Sequence, residues 1–224
     1  MFHVKRFLLI VFLIPTLTHA QHFGATTLTT KPLPNLPARS DSIDKFLKSN
    51  PTYHLLNPVG KDWFYWTNYS RNNPKRFWDS IVSPILKVYP NLKNSYTSSL
   101  EKDLTTSPPL PLLSPNESLI STSESLAKEL AESNSSPSHT SPSGIAFPER
   151  MKSKGIKNCA GENISYGPPN PVLMLVLLYI DQGVPQLGHR KSLLNPSFVE
   201  MGIGDAVYKN NNTIIIQDFA CKQQ

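Results

Sequence analysis

Four ionisable side chains in the C-terminal half of this chain have the types needed for metal or acid–base chemistry: His139, Glu162, Asp181 and His189. Imidazoles are the commonest protein ligands for a divalent ion, and a carboxylate beside one can orient it or take a proton from a bound water. The placement of the six histidines narrows the choice. His3 and His19 fall in the N-terminal segment, His22 in the stretch behind it, and His54 ahead of the aromatic-rich region. His139 and His189 remain, each in a turn rich in Gly, Pro or Ser. Glu162 stands immediately before strand-like apolar residues, an unusual place for a carboxylate unless it is paired or functional. Asp181 follows an apolar helical segment at its C-terminal end, where the helix dipole disfavours an anion that no cation faces. Together they form a two-histidine, two-carboxylate set, although spacing alone does not separate such a site from ordinary turn residues. Ser138 and Ser141 flank His139, but no Gly-x-Ser-x-Gly elbow accompanies them, so serine-hydrolase chemistry lacks support.

The elements that must position these residues can be read from periodicity and punctuation. Lys61–Tyr69 gathers Trp63, Phe64, Tyr65, Trp66 and Tyr69 into a short helix with an aromatic face. A second helix opens at Asn73-Pro74, with Phe77, Trp78, Ile81, Val82, Ile85 and Leu86 at helical spacing, and Pro84 should kink or end it. At that periodicity the aromatics read as core rather than as a ligand platform. Thr105–Pro115 is a proline-rich connector. Ser114-Pro115-Asn116-Glu117 then reads as a capping box with proline in the first helical position, and Leu119, Ile120, Leu126, Ala127, Leu130 and Ala131 mark one buried face through Glu132. Glu124 and Lys128 are spaced as a favourable helical ion pair. Asn170-Pro171 opens an almost wholly apolar segment whose Leu and Met richness and capped start favour a buried helix over a buried strand, and Met201–Tyr208 with Thr213–Cys221 flank Lys209–Asn212 as a hairpin. The class is α+β, with helices packed on a mainly antiparallel sheet.

The N-terminus points to export. Lys5 and Arg6 precede the apolar run Phe7–Ile14, Pro15 ends it, and Thr18-His19-Ala20 leaves small residues before a cut near Ala20. As a helix, Phe7–Ala20 would reach only about 21 Å, against a hydrocarbon core of ~30 Å, so a cleaved signal is favoured over a transmembrane segment. Removing it takes two cations from a formal net charge of +6. What remains is mildly basic and dispersed, without the cationic runs that a nucleic-acid partner requires. Residues 21–59 read as an extended leader, with a short helix possible at Ser40–Ser49, and residues 60–113 as a helical extension of the domain formed by 114–224. The two cysteines, Cys159 and Cys221, are expected to be bridged in an oxidising compartment. Closing that loop would stabilise the fold by about 4 kcal/mol on the chain-entropy account. Asn68, Asn116, Asn134, Asn163 and Asn211 each begin an Asn-x-Ser/Thr triplet, relevant only in a glycosylating host.

Several motifs, in order, carry a resemblance. The run GENISYG, then GHRKSLLNPSFVEMGIG, then IIIQDFA, with the helix ending ESNSSPSH upstream, resembles the CAP superfamily of cysteine-rich secretory, antigen-five and pathogenesis-related-one proteins. The likeness covers about Ser114–Cys221, and the stretch Trp63–Ser99, opening WFYWTNYS, resembles the N-terminal extension of bacterial exported members. It implies a three-layer α-β-α sandwich with a cleft that holds two histidines and two acids, often around zinc or another divalent ion. On that resemblance His139 and His189 are the metal ligands, Glu162 is the first acid and Asp181 stands for the second. The family's tryptophan-containing segment before the second acid is replaced here by Tyr179-Ile180. The functions implied are a secreted, extracellular or periplasmic protein that binds a ligand or protein partner through this cleft, or a metal-assisted hydrolase in which Glu162 and Asp181 serve catalysis. A lipid-binding or structural envelope role is the third.

Overall fold

Asparagine–proline steps punctuate the chain and start four of its helices. The side chain of Asn50 accepts from the Thr52 amide, Asn57 from Gly60, Asn73 from Arg76 and Asn170 from Leu173. Each following proline fills a first-turn position whose missing N–H removes no helical bond. The computed structural model describes residues 28, 29 and 31–223, so the signal reading of residues 1–20 lies outside the described residues. In chain order the elements are α1 (Asp41–Lys48), α2 (Pro51–Leu55), α3 (Pro58–Asn72), α4 (Pro74–Phe77), a π-helical turn (Trp78–Val82), α5 (Ser83–Val88) and α6 (Ser95–Thr106). There follow β1 (Ser114–Pro115), α7 (Glu117–Glu132), α8 (Phe147–Ser153), β2 (Ala160–Gly167), α9 (Pro171–Ile180), α10 (Gly188–Leu193), β3 (Glu200–Tyr208) and β4 (Asn212–Ala220).

The four strands lie in the order β1-β3-β4-β2. β3 and β4 form the hairpin expected from the sequence, β2 pairs antiparallel to β4, and the two-residue β1 pairs parallel to β3, so the sheet is mixed. Side chains of a strand alternate between faces, and here that sorts two cores. Ile214 and Ile216 of β4 and Ile164 of β2 pack on Leu126, Ala127 and Leu130 of α7. Ile215 and Phe219 face the opposite way, into the core built with α3 and α9. The result is an α-β-α sandwich, with α7 and α8 on one side and α3, α9 and α10 on the other.

Several local readings are refined. α7 begins two residues later than the Ser114 capping box implied: Asn116 is the cap, accepting from the Leu119 amide, and Ser114 instead donates its amide to the Val199 carbonyl. Lys128 lies 3.8 Å from Glu132 rather than pairing with Glu124. Pro84 neither ends nor breaks its helix; the wider π-turn just before it absorbs the loss of one backbone donor. Within the stretch read as an extended leader, α1 and α2 bury Ile43, Leu47 and Tyr53 in the same core as Trp63 and Tyr179. The aromatics Trp63, Phe64, Tyr65, Trp66 and Tyr69 are buried, as core rather than as a platform. Asn68 and Asn163 are also buried, which removes them as glycan acceptors.

Two glycines set the spacing between α7 and the sheet. A Cβ on Gly202 would come within 2.1 Å of Leu119 backbone, and one on Gly204 within 2.2 Å of Ser123 backbone. α7 therefore rests directly on β3. Cys159 and Cys221 are disulfide-bonded with Cα atoms 5.4 Å apart, just beyond the paired ends of β2 and β4.

Candidate functional site

The edge strand β2 organises two imidazole–carboxylate couples. Glu162 points from β2 toward the α7–α8 layer, where its Oε1 lies 2.7 Å from Nδ1 of His139 and its Oε2 accepts from Arg150 of α8. The Glu162 side chain is 1% exposed and that of His139 35%, so the acid is sealed and the ring stands at the surface. Arg150 also donates to the backbone carbonyls of His139 and Ile145, at 2.9 and 3.1 Å. One guanidinium thus fixes both the acid and the loop that carries the imidazole.

The next residue of β2, Asn163, faces the other layer and donates to the carbonyl of His189 at 3.3 Å. His189 begins the second couple. Its Nδ1 lies 2.7 Å from Oδ1 of Asp181, while the backbone amides of His189 and Arg190 donate to Oδ2 at 2.9 and 3.3 Å. Asp181 closes α9 in the left-handed conformation, φ +57°, which Asp tolerates better than most residues. That turn swings its carboxylate away from the unfavourable end of α9 and onto the first amides of α10. The puzzle of an anion after a helix C-terminus is resolved by a second helix start. Leu187, also left-handed at φ +53°, turns the chain into α10.

Arg190 is no surface residue. Only 2% exposed, it donates to the last carbonyls of α9, Tyr179 at 2.7 Å and Ile180 at 2.9 Å. It also reaches α6 through the Tyr96 carbonyl, the Ser99 hydroxyl and Asp103, at 2.9, 2.9 and 3.0 Å. Ser141 is occupied with its own turn, accepting from the Ile145 amide at 3.1 Å and bonding Ser143.

Two buried groups at the site went unnoticed in the sequence. Arg150 sits in an ordinary amphipathic turn and gave no signal. Asp218 did leave one, an acid between Ile216 and Phe219 in an otherwise apolar strand, where an inward carboxyl is anomalous. It stands opposite Glu162 in the β2–β4 register and accepts from the Thr122 hydroxyl at 2.6 Å. Burial, then the adjacent Glu162, push its carboxyl well above the ordinary range.

The donor chemistry permits a metal in one manner. Both Nδ1 atoms face carboxylates, so a metal meeting either ring would do so at Nε2, with Glu162 and Asp181 as orienting partners. Among the described residues no group of three or more His, Cys, Asp or Glu side chains is arranged to hold an ion. No helix among the described residues is long and apolar enough to cross a membrane.

The chain is similar to an extracellular protein containing an SCP domain from Bacillus anthracis, at 20% identity over 84% of this chain and 45% of that one, with a TM-score of 0.46. It therefore spans less than half the length of that protein. An outer surface protein of Borrelia burgdorferi is 20% identical over 62% of this chain and 92% of its own, TM-score 0.42. Venom allergen-like protein 4 of Schistosoma mansoni is 14% identical over 75% and 92%, TM-score 0.46. No curated sequence matches significantly. The cysteine-rich secretory protein family model matches residues 67–219, well over half of the chain and the whole span from His139 to Asp218. With the sandwich and both couples inside that span, the chain belongs to the cysteine-rich secretory protein, or CAP, family.

Proposed function

We propose that this is an exported CAP-domain protein that binds a ligand or protein partner at the edge of β2, through a divalent ion, zinc by preference, held by Nε2 of His139 and of His189. The observation that supports it is the paired use of Nδ1: each ring is pinned by a carboxylate that is itself 1% exposed. Such pinning fixes the tautomer and the orientation of a ligating imidazole. When bound, the ion would supply a Lewis-acidic point with open positions for a donor from the partner. Both oxygens of Glu162 are engaged, by His139 and Arg150, which suits an orienting acid better than a general base. That favours binding over the hydrolase reading. Export accords with the N-terminal signal pattern and with the Cys159–Cys221 disulfide, since such bridges persist in oxidising compartments.

The test is a zinc titration of the wild type, His139→Ala, His189→Ala and Glu162→Gln, beside a broad peptidase and esterase screen. One ion should bind the wild type, and either histidine change should abolish binding. Glu162→Gln should weaken it about 10- to 100-fold, the usual scale for losing an orienting partner. Binding that survives loss of both histidines sinks the metal reading. Turnover that falls about 10²–10⁴-fold in Glu162→Gln would restore the hydrolase.

A further inference from the structure

Asp218 has no part in that reading, yet its surroundings limit what it can be. It is fully buried and stands directly opposite Glu162 in the β2–β4 register. The packed elements bring few charges to them. α7 offers Thr122, a neutral hydroxyl, and α8 offers Arg150. The partner of Asp218 on β3 is Gly202, and the loop before α8 brings His139 to Oε1 of Glu162. Two ionised carboxylates would therefore share one guanidinium in a buried pocket.

Counting protons gives the same answer. Oδ2 of Asp218 accepts from Thr122, while Oδ1 is buried with no donor among the described residues. Its neighbour across the register is Glu162, an acceptor already holding His139 and Arg150. Two acceptors cannot bond without a proton between them, and one on Oδ1 satisfies both groups. We propose that Asp218 is a positioning residue that stays protonated at neutral pH and donates to Glu162, locking that acid as the acceptor that holds His139 through Nδ1–H. Its importance for ligand binding rests on the function proposed above; its protonation rests on this cluster alone.

The sign of the linkage follows. An acid whose folded form keeps its proton contributes stability that is complete below the unfolded carboxylate range, near ~3.9, and is lost as pH rises toward its folded-state value. Asp218→Asn keeps a donor for Glu162 and an acceptor for Thr122 but cannot ionise. In metal-free protein, the wild-type folding constant relative to Asp218→Asn should fall by up to about tenfold per pH unit above that range. The infrared difference spectrum between the two at pH 7 should contain a protonated carboxyl band. Nitrogen NMR should show His139 as the Nδ1–H tautomer in both, and shifted from it in Asp218→Leu, which has no donor. Should Asp218→Leu not fold, the other two readouts decide. Absence of the carboxyl band with parallel stability profiles overturns the proposal. Because no metal is present, a failed zinc titration leaves these outcomes untouched.

Discussion

At the scale of single residues, the site is a matter of which groups hold the imidazoles and what holds those groups in turn. Arg190 is the clearest case. Its guanidinium collects five hydrogen bonds that tie the end of α9 to α6 while its own amide helps to seat Asp181. Replacing Arg190 by Met keeps much of the volume but leaves the Tyr179 and Ile180 carbonyls without these donors. The expected cost is about 3 kcal/mol or more, from urea unfolding midpoints, since buried acceptors lose their partners. Zinc affinity should fall as well, because His189 follows the register of α10. A loss below 1 kcal/mol would show that water replaces the guanidinium. Nothing local in the sequence gave Arg190 this role. GEN and GHR drew attention to Glu162 and His189, but nothing in those motifs showed that His139 would face Glu162 or Asp181 face His189. The supporting groups were not legible, since Arg150 and Arg190 look like solvated cations until three distant segments close around them.

At the scale of elements, helix starts were read at Asn73-Pro74 and Asn170-Pro171, and strands where isoleucines ran between turn residues. Asn50-Pro51 and Asn57-Pro58, by contrast, open helices inside the stretch read as a leader, and Asn195-Pro196 opens none. What escaped was decided by tertiary contact. α1 and α2 have eight and five residues, too short to be stable in isolation, and their helicity comes from burying Ile43, Leu47 and Tyr53. Ser114 had the composition of a cap, but pairing beside β3 claimed its backbone and left Asn116 to cap α7. The glycines of β3 carry the strongest demand at this scale. Gly202→Ala or Gly204→Ala should cost roughly 3 kcal/mol or more, the upper range for overpacking, because the obstacle is helix backbone that cannot rotate aside. Either change would push α7 off the sheet and should also disturb Thr122 and Asp218 beneath it. Thermal unfolding checks this, and a variant as stable as the wild type would mean that α7 can slide.

At the scale of the whole molecule, the helical extension read over residues 60–113 shares a core with the part formed by 114–224. The family match itself begins at residue 67, inside α3. That helix buries polar side chains as well as aromatic ones, and Thr67, Ser70 and Arg71 bond to the other part. Thr67 accepts from Gln217 of β4 at 3.2 Å, and Asn68 exchanges two hydrogen bonds with the Leu113 backbone at 2.6 and 3.0 Å. Ser70 bonds the Tyr179 hydroxyl at 2.8 Å. Arg71 donates to the carbonyls of Pro111, Leu193 and Phe198 at 3.0, 2.7 and 2.9 Å. Burial holds the Arg71 guanidinium below its ordinary value, so its charge is tolerated only while those carbonyls surround it. A chain starting at residue 114 would therefore expose the apolar face of α9 and strand the hydroxyl of Tyr179 and the amide of Gln217. It should lack a cooperative unfolding transition, even with the disulfide formed. The intact protein offers a sharper test, because its three tryptophans, Trp63, Trp66 and Trp78, all lie in the helical extension. Tryptophan fluorescence reports that part alone, whereas hydrogen exchange at β3 and β4 reports the sheet. If the core is one unit, the two should give the same midpoint in urea, as a two-state transition requires. A fluorescence midpoint well below that of the sheet would show the extension to be a separable cap, and the truncated chain would then fold on its own.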